Sequence, residues 1–312
     1  MIFDYTMKDN NLIMRNKSKT LVYNFGSEAG FFSEVNNMIL AFLYCIKNDI
    51  EFVLFNSSAS IGWDSFFYPF CKQTYSRYHS KFNYRQPYFV PRGGVYLLNS
   101  QLFKRVNRFD YYTYELWPFF HNHEFEHEFF CLPSLNDHCN DRIGLRDACN
   151  LVLKEIWKYN NQTSNEIRSI IASIGLPKEY VSIHIRRGDK SNEKKEIGIS
   201  RYMEKVAKAS CNDLFIATDD YSVVEYLFSA YPQYNYFSLT DRSKLGYSQS
   251  EFEQLDLDKK RKEVIILLAT IEVLCNSKLM VGSFTSNVGM FCGMRLNNDK
   301  FMDVEDKDWM IW

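Results

Sequence analysis

The sequence predicts an α/β fold organised on parallel, doubly wound sheet. Three observations carry this. In the second half of the 312-residue chain, short apolar runs alternate with helical segments, the pattern of βαβ units. Three polar clusters, at 186–193, 218–220 and 283–287, each fall just past one of those runs. Ligands of doubly wound sheets sit at the carboxyl ends of strands, so the clusters converge on one place.

The elements follow in order. Leu21–Tyr23 reads as a strand, and the loop Asn24-Phe-Gly26-Ser-Glu-Ala-Gly30 follows it. Its glycines allow a ligand to approach the backbone closely. Ser33–Ile46 reads as a helix and Phe52–Phe55 as a strand. From Gly62-Trp63 to about residue 130 the chain reads as aromatic and irregular. Glu166–Ile174 is a short helix stopped by Gly175-Leu-Pro177. Tyr180–Ile185 is a strand, Arg201–Ala209 a helix, Leu214–Ala217 a strand, Tyr221–Ala230 a helix and Tyr234–Leu239 a strand. A polar loop runs to about Leu257; then come the helix Lys260–Leu274, the strand Leu279–Gly282 and a last helix opening at Asn287. A domain boundary is expected near residue 175, giving domains 1–175 and 176–312.

Hydrophobic residues make up 46% of the chain, and 37 Lys and Arg balance 38 Asp and Glu. This balance argues against disorder and against nucleic-acid binding through bulk charge. Eight cysteines include no C-x-x-C pair, and Cys45, Cys211, Cys275 and Cys292 lie in apolar runs, as buried thiols of a reducing compartment do. No signal-peptide region and no 18-residue apolar run is visible, so a cytoplasmic protein without a membrane span is expected.

The most informative stretch is Val181-Ser-Ile-His-Ile-Arg-Arg-Gly-Asp-Lys190. A buried strand here delivers two arginines to the mouth of a sheet. Guanidinium forks bind a phosphate or pyrophosphate bidentately. Asp189 and Lys190 stand beside them as possible proton-transfer groups.

With these residues the chain resembles the GDP-fucose-dependent fucosyltransferases, nearest the core α1,6-fucosyltransferases and the rhizobial nodulation fucosyltransferases. Their H-x-R-R-x-D-K motif with a following Glu is matched by His184, Arg186, Arg187, Asp189, Lys190 and Glu193. Their I-E-x-Y-M resembles Ile199-Ser-Arg-Tyr202-Met203, their A-T-D-D recurs as Ala217-Thr-Asp219-Asp220, and their T-F-S-S-Q resembles Ser283-Phe-Thr-Ser286-Asn287. Upstream, Gly62-Trp63-Asp64-Ser65-Phe66-Phe67-Tyr68-Pro69 resembles a G-W-E-x-x-F-x-P stretch of the animal enzymes. The likeness covers 176–296 well and 20–72 loosely, and 75–160 has no counterpart.

The resemblance implies a GT-B-like fold, two Rossmann-like domains facing a cleft, with the acceptor side in 1–175 and the nucleotide sugar on 176–312. It implies an inverting, metal-independent transfer of fucose from GDP-fucose to a glycan hydroxyl, with no cofactor. Arg186 would hold the β-phosphate, with Arg187 beside it. Ser286 would assist with Asn287 at a helix N-terminus, where free N–H groups favour anions. Glu193 would be the general base, with Lys190 and Asp189 orienting it. His184 would contact the base, Gly26 and Gly30 would approach the donor, and Tyr202, Asp219 and Asp220 would shape the site. The family's guanine-reading aspartate falls on Thr270, and threonine cannot accept N1–H and N2–H together as a carboxylate does. Glu272, two positions along the helix, faces elsewhere. A UDP-sugar such as UDP-xylose is therefore the alternative donor.

Local readings compete at several positions. Asp219-Asp220 or Ser286 could serve as helix caps. His184 could be a hydrogen-bonded core histidine, and Trp63 and Phe66 could be core rather than a sugar platform. Two rival classes also stand. His123-Glu124-Phe125-Glu126-His127 spells the zinc-protease helix, with His138 or Glu128 as third ligand. A catalytically inactive sugar-binding protein would keep the same fold.

Overall fold

The structure is a computed structural model that describes residues 19–26, 29–56, 61–132, 142–188 and 196–311. Among these residues, two separate parallel sheets form the two halves of the molecule.

The first sheet starts with β1 (Lys19–Phe25), α1 (Phe31–Lys47) and β2 (Ile50–Asn56). The parallel β1–β2 pair runs from Lys19 opposite Ile50 to Phe25 opposite Asn56. It continues through β3 (Lys72–Thr74), α2 (Gly94–Asn107), β4 (Tyr111–Tyr112), α3 (Thr113–Phe120) and the single turn α4 (His123–Glu126). The strand order is β3-β2-β1-β4. The expectation of irregular chain from 62 to 130 is thus corrected by α2 and α3. The signal that hides α2 is physical: its fully buried positions are Ser100 and Lys104, Phe103 packs inward on Phe82 and Phe109, and four more apolar side chains face out, so no single apolar stripe marks the helix.

Two helices, α5 (Leu145–Ile156) and α6 (Asn161–Ile174), lead to the second sheet. Asn160 caps α6 by accepting from Thr163 N, and Gly175 ends it at φ +66°. Then follow β5 (Val181–Ile185), α7 (Ile199–Val206), β6 (Asp213–Thr218), α8 (Tyr221–Ala230), β7 (Asn235–Ser238), α9 (Gln249–Gln254), α10 (Leu257–Asn276), β8 (Leu279–Gly282), α11 (Asn287–Arg295) and β9 (Phe301–Asp303). The order is β7-β6-β5-β8-β9, all parallel, with β5 central and buried at every residue. The helix α9 interrupts the expected polar loop, and β9 was not expected.

One aromatic-rich core joins the halves. Phe32 of α1 lies 4.6 Å from Phe291 of α11, and Trp157 lies 4.5 Å from Phe291. Trp63 stacks on Phe67 at 4.1 Å, and Trp63 and Phe66 are fully buried, so they are core. Arg146 of α5 donates to Gly293 O (2.7 Å), and Asn150 donates to Met294 O (2.8 Å), which pins α5 across the end of α11. Among the described residues, Cys45 and Cys292 are buried and Cys211 and Cys275 partly so. No described helix is long and apolar enough to cross a membrane.

Candidate active site

The central strand order fixes the site. Ile183 of β5 lies opposite Val281 of β8, and Ile185 lies opposite Thr218 of β6. The three carboxyl ends therefore open side by side and carry Arg186, Asp219 and Ser283 to one mouth.

Asp219 organises this mouth. Its carboxylate accepts from Arg187 N at 2.7 Å and lies 3.2 Å from Arg186 Nε. One acid thus fixes both the backbone leaving β5 and the guanidinium. The Arg186 guanidinium also lies over the Tyr247 ring, 4.7 Å from its centroid. The Arg187 side chain turns the other way: it donates to Ile197 O (3.2 Å) and pairs with Glu196 (3.6 Å). Of the two arginines, Arg186 alone faces the mouth's acid and ring, while Arg187 staples the following loop. His184 is buried behind them. Burial, with the Arg186 charge, pushes its pKa down to about 3, so it is a neutral imidazole.

On the β8 side, Ser286 caps α11. Its hydroxyl accepts from Gly289 N (3.0 Å) and donates to Ser283 O (3.0 Å). A Cβ at Gly289 would lie 1.9 Å from Ser283 O, which is why this first turn needs glycine. The buried Asp303 at the end of β9 holds the same loop by accepting from Phe284 N (2.8 Å) and Glu305 N (2.8 Å). Asn287 faces the first half: Asn36 of α1 donates to its carbonyl at 3.0 Å. Asp220 is the cap of α8, accepting from Ser222 N at 2.9 Å. Tyr202 is buried in the core beneath the sheet, and burial raises its phenol to about 12.

The opposite wall comes from the first half. Gly26 takes φ +79°, a left-handed turn that glycine makes without strain, and its N–H points to Glu34 at 3.4 Å. Glu34 is itself buried and paired with Arg85 (3.2 Å), which also donates to Ser33 Oγ (2.8 Å). Gly30 starts α1, and a Cβ there would lie 3.7 Å from Gln249 Oε1. Tyr247 in turn donates to Gln249 at 2.7 Å. The segment around Tyr247–Gln249 thereby lies between the glycine loop of one half and Arg186 of the other.

Thr270 lies on α10, where its hydroxyl donates to Ile266 O of the same helix at 2.8 Å. Glu272 is committed elsewhere: Arg295 binds it at 2.7 and 3.0 Å, and Tyr159 donates to it at 2.6 Å. Burial alone would raise this acid, but these donors bring it below the usual carboxylate range. Asp189, Lys190 and Glu193 lie outside the described residues. Sequence reasoning missed Tyr247, Gln249, Asp303 and the Glu34–Arg85 pair. Tyr247 and Asp303 are single residues in loops or at a strand end, with no local pattern to mark them.

The zinc-protease reading is corrected. The helix α4 ends at Glu126, so His127 lies past it, and two histidines cannot share a helical face there. His123 is exposed and sits 3.6 Å from Glu126. His138 lies outside the described residues, and no group of three metal-ligating side chains forms among the described ones.

Two parallel sheets facing across a strand-end arginine site define a GT-B-type glycosyltransferase. Residues 149–304, half of the chain, match the sequence model of the alpha-(1,6)-fucosyltransferase N- and catalytic domains, and the chain belongs to that family. Its fold is similar to that of the NodZ alpha-1,6-fucosyltransferase from crystals soaked with GDP-fucose. The TM-score is 0.52 at 11% identity, over 89% of this chain and 92% of that one. The selenomethionine form of fucosyltransferase NodZ from Bradyrhizobium matches with a TM-score of 0.50 at 11% identity, over 86% and 89% of the two chains. At this identity the likeness is one of fold. No curated protein sequence matches the chain.

Proposed function

We propose that the enzyme transfers fucose from GDP-fucose to a glycan hydroxyl, with inversion, without metal or cofactor, and in the cytoplasm. The placement of Arg186 carries the proposal: it stands at the mouth of the central strand, aimed by Asp219. The first turn of α11, capped by Ser286, opens at the neighbouring strand end, where its N–H groups favour an anion. Arg186 holds the β-phosphate, and these N–H groups share its charge. Neutral His184 offers a nitrogen to the base. Asp219 and Asp220 shape the mouth rather than react, Tyr202 supports it from the core below, and Gly26 and Gly30 let the opposing loop approach the donor. Glu193 is the general base, oriented by Lys190 and Asp189. It takes the acceptor proton as the acceptor oxygen attacks the anomeric carbon and the bond to phosphate breaks. GDP leaves with its charge held by Arg186. The buried thiols of Cys149 and Cys292 support a reducing compartment. The crystals of NodZ soaked with GDP-fucose support the donor class.

A second reading rests on Thr270. With its hydroxyl bonded to Ile266 and Glu272 fixed by Arg295, neither side chain offers a free carboxylate to guanine. This favours a UDP-sugar as the alternative. Thermal shifts with GDP, UDP, GDP-fucose and UDP-xylose decide the matter. We expect a shift with GDP and GDP-fucose that is lost in Arg186→Ala, together with loss of transfer. A response to UDP but not GDP would sink the fucose assignment and leave the alternative.

A further inference from the structure

The helix α2 carries apolar side chains on two faces: Tyr96 and Phe103 pack inward on Phe82, while a second apolar set faces out. Its buried positions are Ser100 and Lys104, and Lys104 is held by Glu115 at 2.8 Å and by Asp110 O at 2.9 Å. Its outward positions are Val95, Leu98, Leu102 and Val106, at 76, 71, 58 and 71% exposure. At about 100° per residue these four fall within one stripe roughly 80° wide, on the side away from Ser100 and Lys104. Just before the helix, Tyr88 and Phe89 are also exposed, with their rings 4.5 Å apart. An apolar stripe that the protein's own core does not use needs a second apolar environment.

The charge around the stripe names that environment. From Ser65 to Phe109 the chain has no aspartate or glutamate but eight lysines and arginines, although the whole protein is balanced. Three of the eight are neutralised: Lys72 by Glu51, Arg85 by Glu34 and Lys104 by Glu115. Among the described residues, no carboxylate pairs with Arg77, Lys81, Arg92, Arg105 or Arg108. Arg105 and Arg108 line a cavity of about 400 Å³ with Gln101, Lys104, Phe109 and Asp110, at the end of the stripe. Arg108 holds φ +55°, a left-handed C-cap that glycine or asparagine would adopt with less strain.

We propose that this face of α2, with Tyr88, Phe89 and the Arg105–Arg108 groove, docks on an anionic lipid bilayer. The helix lies in the plane of the interface, with the Val/Leu stripe in the acyl boundary and the aromatic pair at headgroup level. The arginines reach lipid phosphates, the groove taking one headgroup. A second copy of the chain fits worse. A two-fold contact would bring two sets of unbalanced cations together, and one 14-residue helix offers much less than the roughly 800 Å² per partner of a stable protein interface.

Co-sedimentation of the full-length protein with vesicles tests this. We expect binding to vesicles of phosphatidylcholine mixed with phosphatidylglycerol, weakened by salt, and little binding to phosphatidylcholine alone. The double variant Leu98→Glu, Leu102→Glu abolishes binding while its melting temperature stays that of the wild type, since both side chains are exposed. Arg105→Ala with Arg108→Ala weakens binding about thirtyfold, from the usual contribution of about 1 kcal/mol for each of two basic residues near an anionic surface. No binding to the anionic vesicles, or binding that the Leu→Glu pair leaves intact, overturns the proposal. So does a wild-type dimer by light scattering that the Leu→Glu pair converts to monomer, because the occupant is then a second copy.

Discussion

Gly188→Ala adds a single methyl at the mouth of the site and removes no chemical group. Gly188 has φ +32°, and a Cβ there would lie 2.6 Å from both the N and the O of Tyr247 and 2.8 Å from Asp219 Oδ2. Two of the three obstacles are backbone and cannot swing away. Relief to ordinary carbon contact requires the 186–188 and 245–248 segments to part by roughly 1 Å. That movement strains the bonds joining the second segment to the strand end, Gly246 N to Asp219 O (2.9 Å) and Tyr221 N to Lys244 O (2.8 Å). Overpacking of this kind costs about 1–3 kcal/mol, and the left-handed backbone adds about 1 kcal/mol. The expected loss is about 2–4 kcal/mol. For a chain this long that is a drop of about 4–8 °C in melting temperature, at roughly 2 °C per kcal/mol. Because Arg186 is bound through Asp219 and Tyr247, the same 1 Å displacement should cost about 100-fold in kcat/KM for donor turnover. Differential scanning calorimetry and a donor-turnover assay read the two effects. Gly93→Ala is the control, since nothing lies within 4 Å of a Cβ there and its φ is −76°. A Gly188→Ala enzyme with wild-type melting and wild-type turnover would refute the idea that this contact aims Arg186.

Two further outcomes separate structural from functional acids and bases. Arg295→Met leaves Glu272 without its charge partner, although Tyr159 still donates; the pair is largely buried, so about 2–4 kcal/mol should be lost in urea unfolding, with the nucleotide-induced thermal shift retained. Loss of that shift in a folded Arg295→Met protein would place Glu272 in the donor site after all. His184 is held neutral, with a folded pKa near 3 against an unfolded value of 6.5, so the unfolded chain takes up the proton first. Its contribution is complete above about pH 6.5 and declines towards pH 3, by about 1.4 kcal/mol per pH unit. Urea midpoints at pH 7 and pH 5 should therefore fall further in the wild type than in His184→Asn, by the equivalent of about 2 kcal/mol; equal falls would show a protonated or solvated imidazole.

The second sheet was legible because each of its elements is marked by local chemistry. Tyr221–Ala230 and Leu279–Gly282 lie where the turn residues and apolar runs put them, and Asn287 opens the last helix behind the Ser286 cap. The inner strands β6 and β8 are largely buried, so Leu214–Ala217 and Leu279–Val281 read as continuous apolar runs. The region 62–130 was illegible for the opposite reason. Binary patterning presumes that apolar side chains turn inward, and α2 turns Lys104 inward and Leu98 outward. The lysine is satisfied inside by Glu115, a residue 11 positions away, and no local window contains both partners and the reason for them.

The same distinction governs the site. Arg186 and Asp219 were legible because each stands directly after a strand, and parallel register alone brings consecutive strand ends together. The adjacent arginines looked equivalent in sequence, yet alternation along an extended chain sends neighbouring side chains to opposite faces. Only one can serve the mouth, and Arg187 is spent on Ile197 O and Glu196. What no spacing encodes is the link from Gln249 through Tyr247 to Arg186, beside Gly30, because it brings together three distant stretches of chain. That link has a consequence for how a diphosphate would enter. Its charge must outcompete an existing carboxylate and an existing ring for the same guanidinium. The Arg186 guanidinium is therefore fixed in direction but already engaged, and if it holds the donor as proposed, a movement of the Tyr247 segment should alter donor affinity without a change in a single donor-contacting group.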